Sequence, residues 1–228
     1  MFTSSRRLHI ERQPLWQKGN NLHWFLALCI FYISAAVIGE YYFLSDTVCF
    51  NSFADRFAYD QINQMLESQR KIRWFGYILQ PFLLMIKLSL IALCLMSAVV
   101  WSNLKVSFRQ IWSIIIRAEL VLAVGALFAS AYLAIFWEVN SFDDLENFHN
   151  FSLLALLPSG LDISKWYVYP LQLANVFELF YWLALTSGVQ HLLQFSWKDS
   201  LRFVAKSYGV GLLIWMLIII FLRLNFGS

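Results

Sequence analysis

Along the 228 residues, five long apolar runs alternate with shorter polar connections. They extend from about Leu22 to Phe43, Trp74 to Trp101, Ile111 to Trp137, Trp166 to Leu193 and Phe203 to Leu224. Crossing about 30 Å of hydrocarbon at a helical rise of 1.5 Å takes roughly 20 residues. Each run meets that length. Backbone facing lipid must satisfy its own hydrogen bonds, so each run predicts a transmembrane helix. Trp24, Trp74, Trp101, Trp112, Trp137, Trp166 and Trp197 fall at or near the proposed ends. Indole rings settle at the headgroup level, so these positions support the boundaries.

The fold class expected is therefore an all-α integral membrane bundle of about five helices. Residues 1–21 form a basic tail, residues 22–228 a single transmembrane domain, and 44–73 and 138–165 two outer loops. The run from Leu22 is too long for a signal peptide and is expected to stay as the first helix.

Composition agrees. The chain is 60% hydrophobic and 14% charged, against about half and a quarter for a soluble domain. A net charge of +3, spread along the chain, excludes nucleic acid as an expected partner. Its distribution sets the orientation. Arg6, Arg7, Arg12 and Lys18 in the tail, Lys105 and Arg109 in the second connection, and Lys198, Arg202 and Lys206 around the fourth share one side. They outnumber Arg56, Arg70, Lys71, Arg73, Lys165 and Arg223 on the other, which predicts the N-terminus in and the C-terminus out.

In the first outer loop, Phe53, Phe57, Ile62 and Leu66 are spaced among charges as on an amphipathic helix over 52–71. It lies either on the membrane surface or as a linker whose apolar residues cap the bundle. The second outer loop carries Asp143, Asp144, Glu146 and Asp162, a short apolar turn from Leu153 to Leu157, and an Asn150-Phe151-Ser152 sequon. That acidic group either attracts cations or is simply solvated.

Candidate chemistry lies in ionisable residues at membrane depth, which are costly and mark functional sites by default. Lys87 is midway along the second run and Glu178 near the midpoint of the fourth. Arg117 and Glu119 fall roughly 10 and 7 Å to the inner side of the third midpoint. Depth matching predicts Lys87 with Glu178 as the central pair. Asn175 and Gln172 extend a polar stripe from Glu178 at helical spacing. Such a site suits a proton, an ion or a lipid headgroup, or else is an ion pair that fixes helix register. His9, His23, His149 and His191, with Cys29, Cys49 and Cys94, lack metal-ligand or disulfide spacing, so no metal or cofactor is expected. No catalytic motif appears, and a non-enzymatic role follows. Gly125 with Ala129 and Ala131, and Gly209 with Gly211, offer faces where helices approach closely.

The fourth run reads Asn175, Val176, Phe177, Glu178, Leu179, Phe180, Tyr181, Trp182 and later Gly188, before a link with Ser196, Lys198 and Ser200. It resembles the penultimate helix of the Yip family, the Ypt/Rab-interacting membrane proteins and their bacterial relatives. Asn175, Phe177, Phe180 and Gly188 occupy the places of its Asn/Asp, Phe, aromatic and Gly positions. The likeness covers about the last 60 residues, and Phe180 stands where Trp is usual. It implies five helices with the same orientation, and a role in organising membranes or contacting lipids and other membrane proteins, or itself. A tail of about 20 residues is short for Rab binding and favours a bacterial-type member in the inner membrane, with an ER/Golgi location as the alternative. A small transporter or transport subunit using Lys87 and Glu178 is the competing expectation.

Overall fold

A computed structural model describes residues 20–43, 46–54, 57–142, 144, 151–156 and 165–226. The basic tail, Asn150 of the sequon, and Asp143, Glu146 and Asp162 lie outside the described residues. Among those described, the chain is helical and contains no strand. Its helices are α1 (Asn21–Phe43), α2 (Asp46–Phe53), α3 (Tyr59–Trp101), α4 (Phe108–Phe136), α5 (Lys165–Leu173), α6 (Val176–Leu193), α7 (Trp197–Val204) and α8 (Val210–Phe226). A π-turn, Ala205–Gly209, joins the last two into one 30-residue helix.

Four helices are long and apolar enough to cross a membrane: α1, α3, α4 and the continuous Trp197–Phe226. Their outward faces require a lipid solvent. In α8 no side chain is buried, and Leu213, Leu217, Phe221 and Leu224 are each at least 60% exposed. So large an apolar surface on a water-soluble monomer would mark an interface or drive aggregation. In a bilayer it is the ordinary outer wall. The protein is an integral membrane protein.

Two predicted runs differ in the structure. The second crossing, 74–101, is part of a 43-residue α3 that spans about 64 Å by helical rise, roughly twice the hydrocarbon thickness. Its first turns leave the bundle, and Ile62 and Leu66 bury against Cys49, with Phe50, Phe53 and Phe142 around them. Phe53, Ile62 and Leu66 thus belong to a satellite core between α2 and α3, while Phe57 is exposed, and the stretch 52–71 is divided between the end of α2 and the start of α3 instead of forming one amphipathic helix. Asn51 Nδ2 donates to the Asn140 carbonyl at 3.0 Å, and the Phe142 amide donates to Ser52 Oγ at 2.8 Å, which ties the 140–144 segment to α2.

The fourth run, 166–193, is not one helix. It stops at Leu173 and restarts at Val176. A break strands amides and carbonyls, and at membrane depth these need protein partners. Residues 151–153 supply them. The Leu153 amide donates to the Ala174 carbonyl at 2.9 Å, and the Val176 amide donates to the Phe151 carbonyl at 3.0 Å. Leu153–Leu156 forms a single 3-10 turn beneath, with Leu154 buried. Phe151 also enters an aromatic group with Phe128, Tyr132 and Phe177. By rise along α4, the break sits level with Gly125, about 16 Å inside the Phe136 end of that helix.

The principal core gathers residues from α1, α3, α4, α6 and α7, among them Leu28, Leu88, Leu95, Ile115, Leu185 and Val204. Small residues set its closest contacts. A Cβ on Gly125 would stand 2.6 Å from the Phe177 ring, and one on Gly211 2.5 Å from Cys94 Sγ. Gly188 packs on Ile114 and Gly209 under Trp182. Of the small residues named from the sequence, Gly125, Gly209 and Gly211 thus serve packing within the chain.

Candidate functional site

The polar centre assembles where α1, α3, α4 and α6 face one another and where the π-turn approaches them. Tyr32 is 11 residues into α1, Glu119 11 into α4, and Lys87 14 before the end of α3, so helical rise brings all three to similar depth. Glu119 is fully buried. Its Oε1 takes Lys87 Nζ at 2.5 Å and the Tyr32 hydroxyl at 2.7 Å. Lys87 Nζ also lies 5.9 Å from the Tyr32 ring centroid.

The expected Lys87–Glu178 pair is replaced by Lys87–Glu119. The expectation counted depth from the midpoint of each apolar run, as if every helix were centred on the bilayer. α6 begins only at Val176, so Glu178 occupies its first turn rather than the middle of a longer helix. Glu119 moves the other way, because its helix packs along α1 and carries the carboxylate to the level of Lys87.

Glu178 has a different set of partners. Its backbone amide donates to Asn175 Oδ1 at 2.9 Å, so Asn175 is the N-cap of α6. Its carboxylate Oε1 accepts the Trp182 indole N–H at 3.0 Å and the Tyr208 hydroxyl at 2.7 Å. A carboxylate in the first turn also faces the positive end of the helix dipole. Glu178 remains within electrostatic reach of both Lys87 and Glu119. Tyr208 reaches it from the π-turn, a rare insertion found mostly at functional or strained places in helices.

The centre is thus two linked groups: Lys87, Glu119 and Tyr32 on one side, and Glu178, Trp182, Tyr208 and Asn175 on the other. Tyr181 lies between α6 and its neighbours, fully buried, and its ring stacks edge-on with Tyr208 at 5.3 Å. Two enclosed atoms here, Glu119 Oε2 and the Tyr181 hydroxyl, make no hydrogen bond among the described residues. Arg117, two residues before Glu119 on α4, has its guanidinium over the Trp24 ring at 5.9 Å. Gln172 falls on α5, across the break from Glu178.

A second polar contact bridges α1 and α3 toward the Phe136 end, where Glu40 takes both Arg73 and the Tyr77 hydroxyl. Glu40 is thus paired within the bundle. No group of three metal-binding side chains occurs among the described residues.

Sequence reasoning named Lys87, Glu119, Glu178 and Asn175 but missed Tyr32, Tyr181, Trp182 and Tyr208. One signal was present. Asn175 followed by Glu178 three positions later is the pattern of a helix start, and it marks the break. The tyrosines carried no such mark, since a phenol in an apolar run reads as an interfacial or core residue.

Comparisons with protein-family models, with curated proteins and with solved structures returned no match to this chain.

Proposed function

We propose that this chain is a non-enzymatic, five-crossing membrane protein of the Yip type. Its N-terminus is in the cytoplasm and its C-terminus outside, and it assembles with other membrane proteins or with itself. The fifth crossing is the broken α5–α6 pair. Its place is the bacterial inner membrane, as the resemblance to the bacterial relatives of that family implies. One observation carries the reading. Lys87 pairs through its tip with Glu119, yet its side chain is 45% exposed on the outward face of α3. It lies among Leu83, Ile86 and Leu90, which are also exposed. A half-exposed lysine among acyl chains is costly. A helix from another protein or a second copy, laid over that face, removes the cost and supplies packing and hydrogen bonds, the forces that associate helices in lipid.

The test is crosslinking in native membranes from single cysteines at Leu83 and Ile86, with co-purification in mild detergent. Specific adducts at these positions, absent from cysteines on α8 such as Leu217→Cys, support the reading. Adducts at neither position, with the protein purifying as a lone monomer, overturn it.

A second reading is favoured by the helix break beside Glu178. Transporters place substrate or coupling-ion sites at discontinuous helices whose half-helix ends point into the protein. Two enclosed atoms of the polar centre, Glu119 Oε2 and the Tyr181 hydroxyl, also make no hydrogen bond among the described residues. A transport subunit would move a proton or small cation between Glu119 and Glu178. Labelling of Glu178→Cys by a membrane-impermeant maleimide from either side supports this second reading. Protection from both sides removes it.

A further inference from the structure

The end of the bundle where α3 finishes holds a cavity of about 290 Å³ between α3 and the π-turn, lined by Ser97, Ala98, Trp101, Ser102, Phe203 and Lys206. Its position along the membrane normal follows from charge. From Lys206 the chain runs to Arg223 with no charged residue, and from Lys87 it runs to Lys105 with none. Lys206 and Trp101 therefore mark the same boundary between hydrocarbon and headgroups, and the cavity opens there.

Its lining is divided in the way an interfacial lipid is divided. Ala98, about a turn deeper along α3 than Trp101 and Ser102, is the apolar floor toward the hydrocarbon, and the buried Phe203 ring is an apolar wall beside it. Lys206 Nζ, the Ser102 hydroxyl and the Trp101 indole N–H lie toward water, and none of these three donors has a protein partner among the described residues. The C-terminus of α3 would oppose an anion here through its free carbonyls. That opposition is reduced, because the Ala98, Val99 and Val100 carbonyls accept the amides of Ser102, Leu104 and Asn103. The surrounding charge favours an anion as well. Lys105, Arg109, Lys198 and Arg202 are exposed at this end. Asp199 is the only acidic residue in 102–110 and 194–206, and it is taken by Arg202 at 3.4 Å and by Ser196 at 2.7 Å.

We propose that this cavity binds the phosphate of an anionic glycerophospholipid, held by Lys206, Ser102 and Trp101 beside the Phe203 wall, with an acyl chain running inward over Ala98. The inference rests on the chain being embedded in a bilayer, and goes beyond the assembly reading by naming a ligand and its residues. Basic pockets between helices at the membrane surface are a recurring form of headgroup recognition.

The experiment is native mass spectrometry of the protein released from nanodiscs of phosphatidylglycerol and phosphatidylcholine in equal parts. One retained phosphatidylglycerol is expected on the unaltered chain. Lys206→Gln should weaken retention about fivefold, the loss of one lysine contact at a membrane surface. Ala98→Leu, which fills the floor without changing charge, should remove the bound lipid too, while Lys198→Gln, outside the lining, should keep it. Equal retention of phosphatidylcholine, or equal loss in Lys198→Gln and Lys206→Gln, overturns the proposal. So does displacement of the lipid by millimolar inorganic phosphate, which would make this a site for a soluble anion. Carbonate extraction of the same protein from vesicles separates the two levels. Protein that stays in the membrane but shows no lipid preference refutes the site alone, and protein that is extracted refutes the embedding.

Discussion

Lys87 and Glu119, 32 positions apart on successive helices, meet at 2.5 Å, with the carboxylate enclosed and the ammonium stem turned outward. Neither residue keeps its place in the bundle cheaply without the other. Removing one partner of a buried ion pair leaves an uncompensated charge, whereas replacing both with apolar groups is often close to neutral.

Lys87→Met should therefore cost about 3 kcal/mol, seen as lower abundance and a lower melting temperature in detergent. Lys87→Met with Glu119→Leu should recover most of that loss. Lys87→Met with Glu178→Leu should not, because Glu178 is held by Trp182 and Tyr208. Equal rescue by both double changes would show that Lys87 does not choose between the two carboxylates.

The helix break depends on a cap. Asn175 Oδ1 accepts the Glu178 amide at 2.9 Å, and Asn175→Ala should cost about 1 kcal/mol, as loss of an N-cap does elsewhere. Asn175→Asp, which keeps the acceptor, should cost less. Thermal unfolding of the purified variants orders them. A more stable Ala variant would mean that the chain prefers a continuous helix here.

Gly188 has no room for a side chain, since a Cβ would collide with the Ile114 methyl. Gly188→Ala should destabilise by about 1–3 kcal/mol, the range for overpacking. Combined with Ile114→Ala, which vacates the position, the loss should be smaller than the sum of the single losses by on the order of 1 kcal/mol. Strict additivity in a double-mutant cycle would place Gly188 away from α4.

Outside the membrane, Asp144 Oδ2 accepts the amides of Asn140 and Ser141, both at 2.9 Å. These bonds hold its carboxyl below the usual carboxylate range. A depressed folded value contributes order that is fully present above the ordinary carboxylate pKa of about 4 and is lost as pH falls through the folded value. Amide exchange at Asn140 and Ser141 should rise as pH falls below about 4, after correction for the intrinsic rate, and Asp144→Asn should remove that pH dependence. Unchanged protection in the Asn variant across the acid range would assign the segment's order to Ser52 and Asn51 instead.

The sequence by itself determined which stretches can live in lipid, because the cost of transferring each side chain is nearly independent of its neighbours. For the same reason it located the ionisable residues at membrane depth and the glycines able to accept a close helix. The start signal at Asn175 was also local, and readable. Which charges meet was decided only by the tertiary structure. Pairing depends on the axial offset and rotation of one helix against another, and contacts such as Ile114 on Gly188 and Phe177 on Gly125 set these across long separations. The break in the fourth run follows the same logic. Its stranded amide and carbonyl groups are satisfied by residues 151–153, more than 20 positions earlier, and a chain read in order gives no account of that repair.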